Sequence, residues 1–252
     1  MKTIIGLSTA ALLCLMSPSC PGAIEMHLFD NSAQPVTIPD GDLIGVSISG
    51  QVESIFSSIA SVSVTLDLAG RGPAGGWNGD IYATLFHGGE MVVLVNRPGV
   101  TGSNPSGYGD SGMSVTFSDA GLHKINTYRQ YLPGGENTRL AGTLGGTWLP
   151  DGRVVDPEDV SSLTPDSTYP VTSLESFKGM DPDGSWTLFL ADCDYGGLSE
   201  VSGWSLRFEG PPSVPELLNT AVALLVVLVC FVLIAPRPRL VPVRASKKPE
   251  QE

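Results

Sequence analysis

Short runs in which apolar and polar residues alternate recur along this chain, and glycine- or proline-rich turns separate them. The clearest run spans residues 62–68, where valine and leucine take every second position between Ser63, Thr65 and Asp67. Successive side chains of a strand point to opposite faces, so a period of two predicts a strand with one face in a core. Comparable alternation predicts further strands at residues 44–48, 81–85, 113–117, 186–190 and 204–208. Residues 91–95 are a continuous apolar run, which predicts a strand buried on both faces,.

Glycine and proline are too abundant for a helical protein. The chain has 30 glycines and 20 prolines, which together are about a fifth of its 252 residues, whereas about 12% is usual. Both residues destabilise helix interiors, and no segment within 36–209 sustains a helical period. Many short strands joined by glycine-rich loops predict an all-β fold, a single antiparallel β-sandwich over residues 36–209.

The charge is strongly negative and unevenly placed. The whole chain carries 26 acidic and 14 basic residues, a net charge of −12. Residues 24–216 hold 24 of the acidic and 8 of the basic residues, a net charge of −16, whereas residues 236–252 have a net charge of +3. A nucleic-acid-binding domain needs a basic surface, so we expect no nucleic-acid partner.

The first 23 residues are typical of a secretory signal peptide. Lys2 is followed by an apolar segment that is too short to span a membrane, and then by small residues at Ser17, Ser19 and Ala23,. Cleavage after Ser19 and cleavage after Ala23 both remain open. We therefore expect an exported protein, with residues 24–35 as a leader before the sandwich.

Near the C-terminus, residues 217–235 form a run of 19 residues without a charge. As a helix, this run would be about 28 Å long, close to the thickness of the bilayer core. Residues 210–216 are predicted to be a proline-rich spacer, and residues 236–252 a basic tail in the cytoplasm, because basic residues favour that side. The sandwich is then expected outside the cytoplasm, anchored by one transmembrane helix.

Several motifs in a fixed order resemble the P/Homo B domain, the jelly-roll β-sandwich that accompanies subtilisin-like proprotein convertases. The similarity covers nearly all of residues 36–209, and it is close to the free-standing version found in exported bacterial proteins. The shortened loop at 192–197 departs from the family pattern. The matching segments are Ile38-Pro39-Asp40, Gly79-Asp80-Ile81-Tyr82-Ala83-Thr84-Leu85, Asn96-Arg97-Pro98-Gly99, Gly107-Tyr108-Gly109-Asp110-Ser111-Gly112, Phe177-Lys178-Gly179, Pro182-Asp183-Gly184-Ser185-Trp186-Thr187-Leu188 with Asp192, and Gly203-Trp204-Ser205-Leu206-Arg207-Phe208.

The C-terminal region resembles a PEP-CTERM sorting tail. Val214-Pro215-Glu216 precedes the apolar run, and Arg237 and Arg239 follow it. Leu217 stands where the family has a second proline. The resemblance implies sorting or release at the cell surface, with a plain single-span anchor as the alternative.

Two glycine-containing motifs suggest chemistry that the rest of the sequence does not support. Residues 109–112 read Gly-Asp-Ser-Gly, as around a protease nucleophile, but none of His27, His87 and His123 lies in a recognisable catalytic context,. Residues 142–146 lack the lysine of a phosphate-binding loop and are predicted to be a hairpin turn. We therefore predict no catalytic residue and a protein that is not an enzyme.

A metal site, if there is one, is predicted at Asp192 and Asp194. Their oxygen ligands suit calcium, and turn-capping carboxylates are the alternative. Asp181 and Asp183 lie at the opposite end of the predicted 186–191 strand and cannot join them,. Three scattered histidines give no zinc spacing, and Cys193, with Cys20, offers no disulfide framework,.

These observations predict a non-catalytic module at the cell surface, which binds a protein or a glycan or supports the envelope. The alternative is an accessory domain that assists a separately encoded subtilisin-like protease, as the resemblance implies. Three tyrosines, Tyr108, Tyr128 and Tyr131, were candidates either for such a binding surface or for packing.

Overall fold

In a computed structural model, residues 23–163 and 169–213 are described. They contain ten strands: β1 (Ala23–Asp30), β2 (Val36–Ile38), β3 (Asp42–Val52), β4 (Ser61–Arg71), β5 (Ile81–His87), β6 (Glu90–Asn96), β7 (Met113–Phe117), β8 (Leu144–Trp148), β9 (Gly184–Asp192) and β10 (Leu198–Gly210). Three short 3-10 helical segments lie between strands, at Asn78–Asp80, Ile125–Tyr131 and Leu174–Phe177.

The strands form two sheets. In the first sheet the order is β1-β10-β4-β7-β8, and β2 pairs with β10 beside the end of β1. In the second sheet the order is β3-β9-β5-β6. All pairs are antiparallel except β7 with β8. The predicted all-β sandwich is confirmed.

The hydrophobic core lies between the two sheets. Trp186 of β9 and Trp204 of β10, which the alternation predicts to face inward, are both fully buried. The Trp186 ring lies 5.3 Å from the ring of Phe208, and Phe29 stacks on Trp204 at 4.3 Å. Burying one such aromatic side chain stabilises a fold by several kcal/mol, on the order of 3–5 kcal/mol.

The sandwich extends beyond the predicted boundaries at its N-terminal end. β1 lies in the segment predicted to be a leader and pairs with β10 from Ala23 opposite Gly210 to Asp30 opposite Gly203. Residues 24–28 of β1 alternate in the reverse sense to the core strands, because the apolar side chains of Ile24, Met26 and Leu28 face outward and only Phe29 is a large apolar side chain on the inner face. The strand exists because its inner face, with Phe29, covers the core beside Trp204.

The predicted hairpin turn at residues 142–146 is wrong. Residues from Leu144 onwards form β8, which runs parallel to β7 with Leu144 opposite Met113. Three exposed residues, Gly145, Gly146 and Thr147, lie between the buried Leu144 and Trp148. With only two buried residues, at its two ends, this strand shows no alternation of apolar and polar residues, so the sequence does not predict it.

The ten strands and the whole hydrophobic core lie within one compact unit that ends at Ser213; residues 214–252 form a separate unit. All the strand pairs and core residues given above lie within residues 23–213, so this part of the chain is expected to fold by itself. The predicted transmembrane segment at 217–235, the spacer beyond Ser213, the basic tail and the signal peptide up to residue 22 lie outside the described residues. Within the part that is described, no helix is long and apolar enough to cross a membrane.

Candidate functional site

Four aspartates meet at one end of the second sheet. Asp192 ends β9, where it lies opposite both Ile81 of β5 and Asp42 of β3. Because Asp80 directly precedes β5 and Asp40 precedes β3, antiparallel pairing brings both next to Asp192. Asp194 follows two residues after Asp192, and its N–H donates to Asp192 Oδ1 at 3.4 Å. These four residues are called the aspartate cluster below.

Two members of the cluster are buried and incompletely bonded. Asp192 is fully buried and Asp80 is 4% exposed. Neither Asp192 Oδ2 nor Asp80 Oδ1 accepts a hydrogen bond from any described residue. Burying a carboxylate oxygen without a hydrogen-bond donor costs free energy of folding. A proton or a cation bound at the cluster would reduce this cost.

Arg97 is the cation that faces the cluster. Its side chain is 5% exposed, and Nη2 lies 3.7 Å from Asp80 Oδ1 and 3.8 Å from Asp194 Oδ2. The guanidinium also donates hydrogen bonds to the carbonyls of Gly79 and Pro157, each at 3.2 Å. Its backbone φ of +48° is unusual for a residue other than glycine,. One positive charge therefore stands against four carboxyl groups.

Burial and the surplus of carboxyl groups together raise the pKa values of two aspartates in the cluster. Burial, followed by the Asp192 charge, raises the pKa of Asp80 to about 7, and Arg97 offsets part of the rise. Burial raises the pKa of Asp192 to about 6, and the carboxylates of Asp40 and Asp194 add to the rise. An added positive charge would stabilise the ionised form of both groups.

The donor set suits a hard cation better than a soft one. Burial raises the pKa of the Cys193 thiol to about 12, which disfavours the thiolate that zinc prefers. No three His, Cys, Asp or Glu side chains within residues 23–163 and 169–213 are already grouped closely enough to hold one metal ion. Calcium takes six to eight oxygens, including water and backbone carbonyls, so a calcium ion here would draw part of its shell from those sources.

The sequence identified half of the aspartate cluster. Asp192 and Asp194 lie at one end of β9, and Asp181 and Asp183 lie at its other end. Asp183 accepts a hydrogen bond from the Ser54 N–H at 2.6 Å. Asp80 and Asp40 were not predicted as members of the cluster, because only the strand register shows that they lie beside Asp192.

The Gly-Asp-Ser-Gly motif at residues 109–112 lies in a bonding network inside the fold. Asp110 is fully buried and accepts hydrogen bonds from Tyr128 Oη at 2.6 Å, from Arg129 Nε at 2.7 Å and from the Leu140 N–H at 2.6 Å. Ser111 Oγ accepts the Gly76 N–H at 2.9 Å. Both side chains thus tie this segment to neighbouring segments between the strands.

The three histidines make contacts elsewhere. His87 stacks on Trp186 at 4.0 Å, and its ring nitrogens contact the Ser185 and Asp181 carbonyl oxygens. His27 pairs with Glu25, and His123 stacks on Tyr131. None of these contacts supplies Ser111 with the general base that a serine nucleophile uses.

Two of the three candidate tyrosines pack inside the protein. Tyr108 and Tyr128 are buried, with their rings 4.8 Å apart in an edge-to-face arrangement. The Arg129 guanidinium lies 4.7 Å from the centre of the Tyr108 ring. Of the three, Tyr131 is the exposed one, so they do not form a shared aromatic surface.

Comparison with known proteins does not identify a family for this chain. No family model and no curated protein matches this sequence. Among solved structures, the Aeromonas sobria serine protease in complex with its chaperone is similar with a TM-score of 0.41 and 14% identity, over 81% of this chain and 29% of that one. The same protease by itself is similar with a TM-score of 0.39 and 12% identity, over 77% of this chain and 28% of that one. This chain thus spans less than a third of the length of either match, and neither identifies its family.

Proposed function

We propose that this chain is a non-catalytic β-sandwich module that works by binding, and that its aspartate cluster holds one calcium ion. The cation proposal rests on two buried oxygens, Asp192 Oδ2 and Asp80 Oδ1, which accept no hydrogen bond from the described residues. Resemblance to the P/Homo B domain and an exported, membrane-anchored location are parts of the same proposal.

A bound cation would stabilise one end of the second sheet. It would neutralise charge where β9 ends, where β5 begins and where the chain enters β3. The loops at this end include the segment after Asp192 and the turn before β5. Calcium would therefore hold these loops in the arrangement that they present to a protein or glycan partner.

Calcium-dependent melting tests the cation proposal. Residues 23–213, melted in saturating calcium and in chelator, are expected to differ by about 5–10 °C, since a ligand at about 100 times its Kd adds about 2.7 kcal/mol. Asp192→Asn should lose this difference, because asparagine keeps the shape and removes the charge. Asp183→Asn, at the other end of β9, should keep it. Equal melting of the wild-type protein in calcium and chelator would refute the cation proposal.

A peptide-hydrolysis assay tests the non-catalytic part separately. The purified unit is expected to release no product above the buffer rate, and Ser111→Ala is expected to leave that result unchanged. Hydrolysis that Ser111→Ala abolishes would overturn the proposal. Specific co-purification of a serine protease from the native source would instead favour the accessory role.

A further inference from the structure

β1 is an edge strand whose second side is open. On one side, all eight of its residues pair with β10. On the other side, no strand of the described residues pairs with it. Unpaired N–H and C=O groups along an edge make a template for another strand.

The outward face of β1 is apolar where its sheet is otherwise polar. Ile24, Met26 and Leu28 are 58%, 64% and 70% exposed. Their partners on β10 are Glu209, Arg207 and Ser205. The apolar residues thus lie in one row at the open edge, where an added strand would cover them.

The two edges of the second sheet, β3 and β6, carry features that block pairing. β3 has an irregular register between Asp42 and Val46, with Gly45 at φ +57°. The β6 edge is covered by a loop, because the Asp151 and Gly152 N–H groups donate to the Leu94 and Val93 carbonyls. β1 has no lysine, no proline and no register irregularity, three of the devices that protect an edge. Its inward-pointing carboxylate, Glu25, accepts hydrogen bonds from Ser54 Oγ and the Ile55 N–H of the same chain.

We propose that a second copy of this chain occupies the open edge, with the two β1 strands antiparallel about a two-fold axis at Met26. In this register Ile24 lies opposite the partner's Leu28, and Glu25 lies opposite the partner's His27. Aliphatic residues then meet on the outer face, and on the inner face each Glu25 carboxylate faces the partner's His27 imidazole, to which it can hydrogen-bond. Each contact occurs twice, as a two-fold interface requires.

Neighbouring registers are less favourable. An axis at Glu25 would place two carboxylates directly opposite each other, which destabilises a strand pair. An axis at His27 would place Ile24 opposite the partner's Asp30. The sequence of β1 therefore selects Met26 as the centre. This interface does not depend on cation binding at the aspartate cluster.

The oligomeric state of residues 23–213 tests the interface. Sedimentation equilibrium from low micromolar to submillimolar concentration is expected to show a monomer–dimer equilibrium. Met26→Lys should weaken dimerisation on the order of 100-fold, because two lysines would face each other and two buried methionines would be lost. Thr147→Lys places the same charge on β8, at the far edge of the sheet, and should leave the dimer intact. A monomer at every concentration, or equal loss in both variants, would overturn the proposal.

Cysteine cross-linking tests the register and keeps the proposal falsifiable if the lysine variant folds poorly. Met26→Cys should form a disulfide-linked dimer under mild oxidation, since directly opposite Cα atoms are about 4.5–5.5 Å apart, within disulfide range. Leu28→Cys should not, because its own copy lies four residues away along the partner strand. The unchanged protein, with its half-buried Cys193, gives the background. Equal cross-linking of both cysteine variants, or none for Met26→Cys, would contradict the two-fold register.

Discussion

Replacing Asp110 with asparagine tests whether the Gly-Asp-Ser-Gly segment is a structural element. Asp110 is fully buried, and Arg129 binds it through Nε at 2.7 Å and Nη2 at 2.9 Å. The same carboxylate accepts hydrogen bonds from Tyr128 and from the Leu140 N–H. Breaking a buried ion pair by changing one partner costs about 3–5 kcal/mol. We expect Asp110→Asn to lose about that much of its free energy of unfolding.

The pH dependence of this loss follows from the pKa of Asp110. Burial acts to raise that pKa, but hydrogen bonds from Arg129, Tyr128 and Leu140 outweigh burial and hold it below the ordinary 3.8. A lowered acid pKa stabilises the fold above the pKa of the unfolded chain, and this contribution is lost as the pH falls through the folded value. The difference between wild type and Asp110→Asn should therefore be full at pH 7 and shrink below about pH 4.

Guanidinium unfolding at several pH values measures both quantities. Asp183→Asn is the matched control, because Asp183 is exposed and an amide oxygen can still accept the Ser54 N–H. Its effect should be within about 0.5 kcal/mol. The structural assignment of Asp110 would be refuted if Asp110→Asn cost no more than Asp183→Asn at pH 7.

Two further changes test the core and the aspartate cluster. Leu206→Ala, at a fully buried position, should cost about 2–5 kcal/mol in denaturant unfolding, whereas Ile44→Ala, at an exposed one, should cost little; equal costs would contradict the described sandwich. At Gly79, an added Cβ would lie 2.7 Å from the Tyr108 nitrogen, so Gly79→Ala should shift the neighbouring Asp80 and weaken calcium binding in titration calorimetry. Gly102→Ala, where a Cβ meets nothing within 4 Å, should leave calcium binding unchanged, and the same affinity in both variants would contradict the account.

The sequence predicts the central strands because burial on one face imposes a period of two. All seven predicted strand segments lie within observed strands, and residues 113–117 coincide with β7. β1 and β8, the two edge strands of the first sheet, were not predicted, for a physical reason. β1 has one face on the core and an apolar outer row as well, and β8 has only two buried residues. β1 therefore alternates with its apolar row on the outside, and β8 does not alternate, so neither strand has the apolar inner row that marks the central strands.

The aspartate cluster was only half predictable for a related reason. Asp192 and Asp194 are neighbours along the chain, so their proximity needs no fold. Asp80 is more than a hundred residues from Asp192, and only the pairing of Ile81 with Asp192 brings the two carboxyl groups together. Arg97 reaches them from the end of β6 and was noted in the sequence only within a family motif. Alternation of apolar and polar residues predicts where a strand lies in the sequence, but not which residues of a distant strand it pairs with.

The number of calcium ions bound per chain tests the central claim most directly. Equilibrium dialysis of residues 23–213 against radioactive calcium counts them without reference to stability. The account predicts one ion per chain for the wild-type protein and for Asp183→Asn, and none at the same calcium concentration for Asp192→Asn. No bound calcium in the wild-type protein, or equal binding by Asp192→Asn, would contradict it.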